Sequence, residues 1–378
     1  VVISLTKTGN TLILERNTGR PIFDVAYKKA PKSNIPNEVT FPYQIDLTKP
    51  EKFSKIEYGL NDINKLPLIK QKQIKKKLKN ARYGWYEPPS LIEDIIVFGI
   101  GGGAEWNGGA LDPINQHLYI PVNYVPWKIR PYMQSTELIT KFPKNIDDFH
   151  NIYINKCSGC HGKKRNGINI KKGQKQTKFI PSLVGFFTFP NGNEKMSEEN
   201  LILSHNNLDL THNEIFKLQQ LFEWWDKNIE KNGDITVVAN DLGWSQFLTD
   251  DDLPASNPPW GYIAKLDIVA GKILWKTPIG YLKINGKKTK VGTSNFGGLA
   301  LNGAGILFFT GTEDNLAYAI DAETGKEIWS YQMKAAGSTP PIIFNHNGKQ
   351  YVSFLSTGGL YHNFKEKASS IYTFGIAE

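Results

Sequence analysis

Three times along this 378-residue chain an acidic residue is followed by glycine four positions on, and by an aromatic four positions after that. The copies run Glu15 to Gly19 to Phe23, Asp267 to Gly271 to Trp275, and Asp321 to Gly325 to Trp329. In the last two, the acidic residue closes a run that reads as a strand, 262–266 and 317–320. Glycine there supplies the positive φ of a tight hairpin turn. The aromatic then opens the return strand, where it can pack between neighbouring sheets. Asp267 and Asp321 lie 54 residues apart, close to the ~40–50-residue period of propeller blades. Because Asp-x-x-Thr-Gly is a common turn, three unrelated hairpins are the alternative. Identical placement of the aromatic argues for a β-propeller.

Between the first copy and the other two the character changes. Residues 141–230 are polar and helical, and Ile215, Leu218, Leu221, Phe222 and Trp225 recur there at helical spacing. The expected organisation is propeller blades over 1–140, an inserted α-helical domain over 141–230, and blades again over 231–378. An excursion over about 41–90 has little strand signal and carries a helix near Lys65–Arg82. Residues 232–252 read as a linker, with strands resuming at Gly261. The chain opens on strand-like sequence, with no start Met, basic n-region or cleavage site at Val1–Ser4, so upstream sequence is expected.

At 40% hydrophobic residues the chain can bury a core and is not disordered, and no stretch approaches the ~20 apolar residues that span a bilayer. The net charge of +9 is spread along the chain. Its densest run, 70–79, reads as a solvated helix face, so no nucleic-acid partner is expected.

The two cysteines stand three residues apart, in Cys157-Ser-Gly-Cys160-His161. Two thiols on one helical turn can add to the vinyl groups of haem, and the adjacent His161 supplies an axial nitrogen to iron. A redox dithiol would want a βαβ context, and zinc would want two further ligands nearby. Residues 149–156 can form a short helix before the motif, and a terminal helix over 211–227 closes such a fold. Residues 181–185 are similar to the loop that follows the haem histidine in small class I cytochromes c. That family places a distal Met in the loop before the last helix. Here 204–210 holds no Met, so the distal ligand is Met196 or His205, with His212 or five-coordinate iron also open.

Outside this segment nearly all of the chain resembles the C-terminal half of the quinoprotein dehydrogenases, the pyrroloquinoline quinone enzymes. It most resembles the membrane-type glucose dehydrogenases and relatives with an embedded cytochrome c. The matching stretches are 6–10 with 17–19, 88–90, the glycine-rich run 101–113, 259–262, 292–298, 335–340, 347–352 and 358–359. The resemblance implies a mostly β fold: part of an eight-bladed propeller with an inserted class I cytochrome c domain. It implies that Lys7 contacts the reactive quinone carbonyl, where a fixed cation stabilises the developing oxyanion; an exposed strand-end lysine is the alternative. Glu105 and Trp106 fall where the family presents a polar residue and Trp to the cofactor, and Asn123 and Asn295 are further candidate quinone contacts. The catalytic Asp and most calcium ligands of the family lie upstream of the segment matching Lys7.

The function implied is a pyrroloquinoline quinone-dependent dehydrogenase that oxidises an alcohol or sugar hydroxyl and passes electrons to its own c-type haem. Its cofactors would be haem c, pyrroloquinoline quinone and Ca2+. Its partners would be the small-molecule substrate and a downstream cytochrome or respiratory-chain acceptor. The periplasm of a bacterium is the expected location, with any membrane association made by sequence before Val1. The alternative is a non-catalytic, haem-bearing propeller that only transfers electrons. A propeller–cytochrome nitrite reductase fits less well, because its cytochrome is N-terminal rather than inserted.

Overall fold

The computed structural model describes residues 1–33, 35, 38–66, 71–90, 93–104, 107–136, 138–139, 141–172, 175–180, 182–185, 209–231, 235–238, 244–358 and 365–375. Among them the chain is mostly β, built of sheets that are antiparallel but for one strand pair and stack face to face. The strand Gly261–Asp267 shows why they stack. All but its last residue are buried, so both faces must be covered. Side chains alternate between those faces. Ile263 joins Tyr119, Leu307, Phe309 and Ile320 on one side, while Tyr262, Ala264 and Leu266 join Phe53, Leu118 and Ile120 on the other.

This strand pairs with His117–Asn123 and Lys272–Pro278, and Ala110–Asp112 completes a four-stranded sheet. The next sheet runs Leu299–Leu301, Ile306–Phe309, Leu316–Asp321 and Glu327–Gln332 in chain order. A three-stranded sheet, Ile342–His346, Lys349–Ser356 and Ser370–Gly375, packs beyond it through Ala317, Met333, Val352 and Phe354. On the opposite flank the hairpin of Val2–Leu5 and Thr11–Leu14 sets Ile3 and Leu5 against the Leu118 cluster.

The repeated turns form as the spacing predicts. Gly19, Gly271 and Gly325 have φ of 73°, 66° and 70°. Each donates its N–H to the carbonyl of the acidic residue four positions back, at 2.8, 2.9 and 2.8 Å. A Cβ on Gly271 would fall 3.1 Å from the Phe23 ring, and one on Gly325 would fall 3.0 Å from Trp275. The aromatic of one copy therefore seats on the turn of the next, and Trp275 Nε1 donates to the Glu323 carbonyl at 3.0 Å. Lys265, buried on the same face as Ile263, reaches Glu323 at 2.6 Å.

The inserted stretch leaves the central sheet at Asn123 and returns at Gly261, which are register partners. Its two arms stay paired on the way out, first as Trp127–Ile129 with Trp244–Gln246, then as Tyr132–Ser135 with Ile235–Val238. The linker reading of 232–252 is thus corrected: both segments are strands because each lies opposite an outgoing partner. The first of these pairings belongs to a sheet with Asp94–Val97 and Ala81–Tyr83. The helix expected over Lys65–Arg82 is therefore shorter, spanning Gln71–Leu78; past it the chain pairs in parallel with Asp94–Val97. Ile74 and Leu78 are buried and the helix lysines are exposed. The excursion also holds the strand Tyr43–Ile45, set by pairing with Tyr27–Lys29.

At the end of the paired arms lie the helices Lys144–Lys156, Ser158–His161 and His212–Lys231. Ile146, Tyr153, Leu183, Leu218, Leu221, Phe222 and Trp225 form their shared core. The module also contains a hairpin, Ile168–Lys172 with Lys175–Ile180, which helical patterning alone does not suggest. Lysine-rich strands have little intrinsic β-propensity, and cross-strand pairing decides them. Among the described residues no helix is long and apolar enough to cross a membrane.

Candidate cofactor sites

Lys7 sits on the turn between the first two strands, where Thr6 N–H bonds to the Asn10 carbonyl at 3.0 Å. Its side chain is exposed, and Nζ donates to the Ile100 carbonyl at 3.3 Å. The glycine-rich run folds onto this turn. A Cβ on Gly103 would fall 2.4 Å from the Lys7 carbonyl oxygen, so only glycine permits the approach. Gly103 in turn accepts the Asn123 N–H at 3.0 Å. Asn295 Nδ2 donates to the Val122 carbonyl at 2.9 Å. The structure thus sets the Lys7 turn and Asn123 against one glycine loop, with Asn295 bonded to the neighbouring Val122. Glu105 and Trp106 lie outside the described residues.

Both asparagines are buried, and the Oδ1 of each has no donor among the described residues. An unpaired buried acceptor is costly, so each calls for a donor from water, a ligand or a residue outside those described. A cavity of about 570 Å³ opens beside Lys7, but Val1, Ile3, Leu5, Leu111 and Leu118 line much of it. It follows the open side of the first hairpin rather than the asparagines.

The second site is in the helical module. The helix Lys144–Lys156 is longer than the segment expected from 149, because its first turn buries Ile146 against the terminal helix. Cys157 N–H bonds to the Tyr153 carbonyl at 2.8 Å, and His161 N–H to the Cys157 carbonyl at 2.9 Å. Cys157, Cys160 and His161 therefore share one turn. The thiols are not bonded to each other; Cys157 is buried and Cys160 exposed. Burial pushes the Cys157 thiol up to about 11. His161 is buried, and His212 is exposed at the start of the terminal helix. Met196 and His205 lie outside the described residues. No cluster of three metal-ligating His, Cys, Asp or Glu side chains occurs among the described residues.

Sequence reading missed what holds this turn in place. Arg165, fully buried, donates from Nη2 to Asp226 Oδ1 at 2.6 Å and from Nη1 to the Leu183 carbonyl at 3.2 Å. Its guanidinium lies 4.3 Å from the Trp225 ring centroid. Burial presses its pKa down, and Asp226 opposes that. Tyr153 Oη donates to the Gly162 carbonyl at 2.5 Å. Asn166 caps both the N–H and the carbonyl of Ser135 on the outgoing arm, at 2.7 and 2.9 Å. No sequence pattern links Arg165 to Asp226, since the pair forms only when the terminal helix docks.

A family model described as the β-propeller domain of PQQ glucose/ethanol/alcohol dehydrogenases matches residues 1–151 and 160–352. The chain belongs to this quinoprotein family. Its stacked sheets are accordingly sheets of a quinoprotein-type β-propeller. The glycerol dehydrogenase large subunit of Gluconobacter thailandicus is 25% identical over 380 residues, covering 96% of this chain and 40% of that protein. Quinoprotein glucose dehydrogenase A of Acinetobacter calcoaceticus is 23% identical, over 94% of this chain and 36% of its own length. A europium-containing methanol dehydrogenase structure covers 94% of this chain and 36% of its own, at 13% identity and a TM-score of 0.39. This quinoprotein chain spans about 40% of the length of the curated relatives named here.

Proposed function

We propose that this chain is the C-terminal part of a periplasmic pyrroloquinoline quinone-dependent dehydrogenase that oxidises an alcohol or sugar hydroxyl and delivers electrons to a c-type haem on the same polypeptide. Membership of the quinoprotein family across nearly the whole chain carries the dehydrogenase part of the reading. When bound, the quinone supplies a two-electron acceptor and haem a one-electron acceptor. Lys7 would hold a carbonyl oxygen of the quinone with its ammonium, which lies exposed and donates at 3.3 Å to the Ile100 carbonyl. Asn123 and Asn295 would serve the same group only where it donates a hydrogen bond, since each offers a buried Oδ1 acceptor that has no donor among the described residues. In this reading the proton-abstracting Asp and the Ca2+ ligands come from polypeptide preceding Lys7.

The haem part rests on two unbonded thiols and a buried imidazole on one helical turn. Cys157 and Cys160 would form the thioethers, and His161 would donate to iron. Met196 or His205 would supply a second iron ligand, and a downstream cytochrome or respiratory-chain acceptor would take the electrons. One observation favours a second reading, a haem-bearing propeller that transfers electrons without oxidising substrate: Lys7 is exposed rather than enclosed.

The test is the full-length gene expressed with cytochrome c maturation and supplied with the quinone and Ca2+. The haem bands are followed while a panel of alcohols and sugars is added. Reduction that requires both quinone and substrate supports the dehydrogenase. A haem that forms and never reduces under these additions supports the second reading.

A further inference from the structure

We propose that the buried Arg165–Asp226 pair is the positioning device for His161 and balances the charge felt at the iron it would bind, an inference that rests on the haem reading above. The loop after His161 is short and strained. Arg165 has a φ of 61°, a left-handed conformation that non-glycine residues rarely adopt and that persists only when its surroundings enforce it. Here the enforcement is visible from three directions. Within the loop, Arg165 N–H bonds to the Gly162 carbonyl at 3.0 Å, and Gly167 N–H returns to the His161 carbonyl at 3.0 Å. Across the module, the Arg165 carbonyl accepts Leu183 N–H at 2.8 Å and the Ser182 hydroxyl at 3.1 Å. Nη1 adds the bond to the Leu183 carbonyl, so main chain and side chain of one residue grip the same segment. The third direction is the terminal helix, through Asp226 and the stacked Trp225.

A pair with both side chains fully buried is not needed to hold a module together, since well-packed apolar residues often serve as well. What apolar residues cannot supply is a planar fork that holds one loop against two others. They also cannot supply two opposite charges in low dielectric, where a single unpaired charge would be felt across the module. Burial, net charge and hydrogen bonding around the ligands are the protein's means of setting a haem potential.

The test uses the full-length, haem-matured protein and reads the haem midpoint potential by spectroelectrochemistry. In Asp226→Asn the guanidinium is left uncompensated, which favours the ferrous state, so the potential rises. In Arg165→Gln a positive charge is removed while the carboxylate stays, so the potential falls. The double variant moves back toward the wild-type value. Opposite shifts of the two single variants are the signature, because a merely structural lesion would move both the same way. Single variants with full haem content and unmoved or same-direction potentials would overturn the charge role. Arg165→Lys keeps the charge and loses the fork, so it remains informative should the neutral variants not fold. It is expected to alter the ferric haem electron paramagnetic resonance spectrum, and an unchanged spectrum overturns the positioning role. A wild-type protein that carries no covalent haem overturns the haem reading itself, and this inference with it.

Discussion

The three equivalent turns allow alanine to separate backbone strain from sheet-to-sheet crowding. At Gly19 a Cβ would meet nothing within 4 Å, so Gly19→Ala bears only the left-handed penalty, about 1–2 kcal/mol. At Gly325 the backbone is nearly the same, but a Cβ would fall 2.5 Å from Thr277 Oγ1 and 3.0 Å from the Trp275 ring. Neither neighbour yields easily. Thr277 is β-branched on a strand, and Trp275 is tied by its indole N–H to the Glu323 carbonyl. Overpacking of this kind costs about 1–3 kcal/mol more, so Gly325→Ala should lose about twice as much stability as Gly19→Ala. Urea titration of the purified chain, followed by tryptophan fluorescence, measures both. Removing the obstructing ring should rescue part of the loss, so Trp275→Ala with Gly325→Ala should cost less than the two single changes added together. Equal losses at Gly19 and Gly325, or additive behaviour of the pair, would refute the claim that the aromatic of one copy seats on the turn of the next.

Three further outcomes are expected. Lys7→Met should lower dye-linked dehydrogenase turnover of the full-length enzyme by about 10²–10³-fold while leaving haem content unchanged; an unaltered rate would mark Lys7 as an ordinary strand-end lysine. In haem-free protein at pH 8, iodoacetamide should label exposed Cys160 but spare Cys157, whose thiol burial pushes to about 11, with Cys157 labelling on approach to that pH; equal labelling of both by mass spectrometry would contradict this geometry. Glu214 is held down at about 2, first by its bond with the Lys156 ammonium and then by Thr211 N–H. A carboxylate lowered on folding stabilises fully above its unfolded value of 4.5, and that contribution is lost as pH falls toward 2. The helical circular-dichroism signal of Glu214→Gln should therefore depend less on pH between those values than the wild-type signal does; parallel curves would count against the ion pair.

Much of the fold was legible along the chain. The Gly-containing turns, the helix with apolar residues from Ile215 to Trp225 and the Cys157–His161 motif are local. Each depends on spacing within a few residues, which the backbone's periodicities dictate directly. Local signals failed where pairing crosses the insertion. The segments Ile235–Val238 and Trp244–Gln246 read as linker because their partners lie on the far side of the helical module. Ala81 and Arg82 read as helix because the parallel neighbour of their strand was not in view.

The same division runs through the candidate sites. The residue types and their order determined that this chain has repeated hairpins, a Cys-x-x-Cys-His turn and a glycine-rich loop of quinoprotein type. The tertiary structure alone decided that Phe23 and Trp275 seat on the following turns, that the Lys7 turn and Asn123 meet one glycine loop, and that Arg165 is neutralised by Asp226 inside the module. The physical reason is the range of the interactions. A turn or a helical face is specified by neighbours in sequence, whereas burial, crowding and charge compensation depend on which distant surfaces close over a residue once the sheets stack.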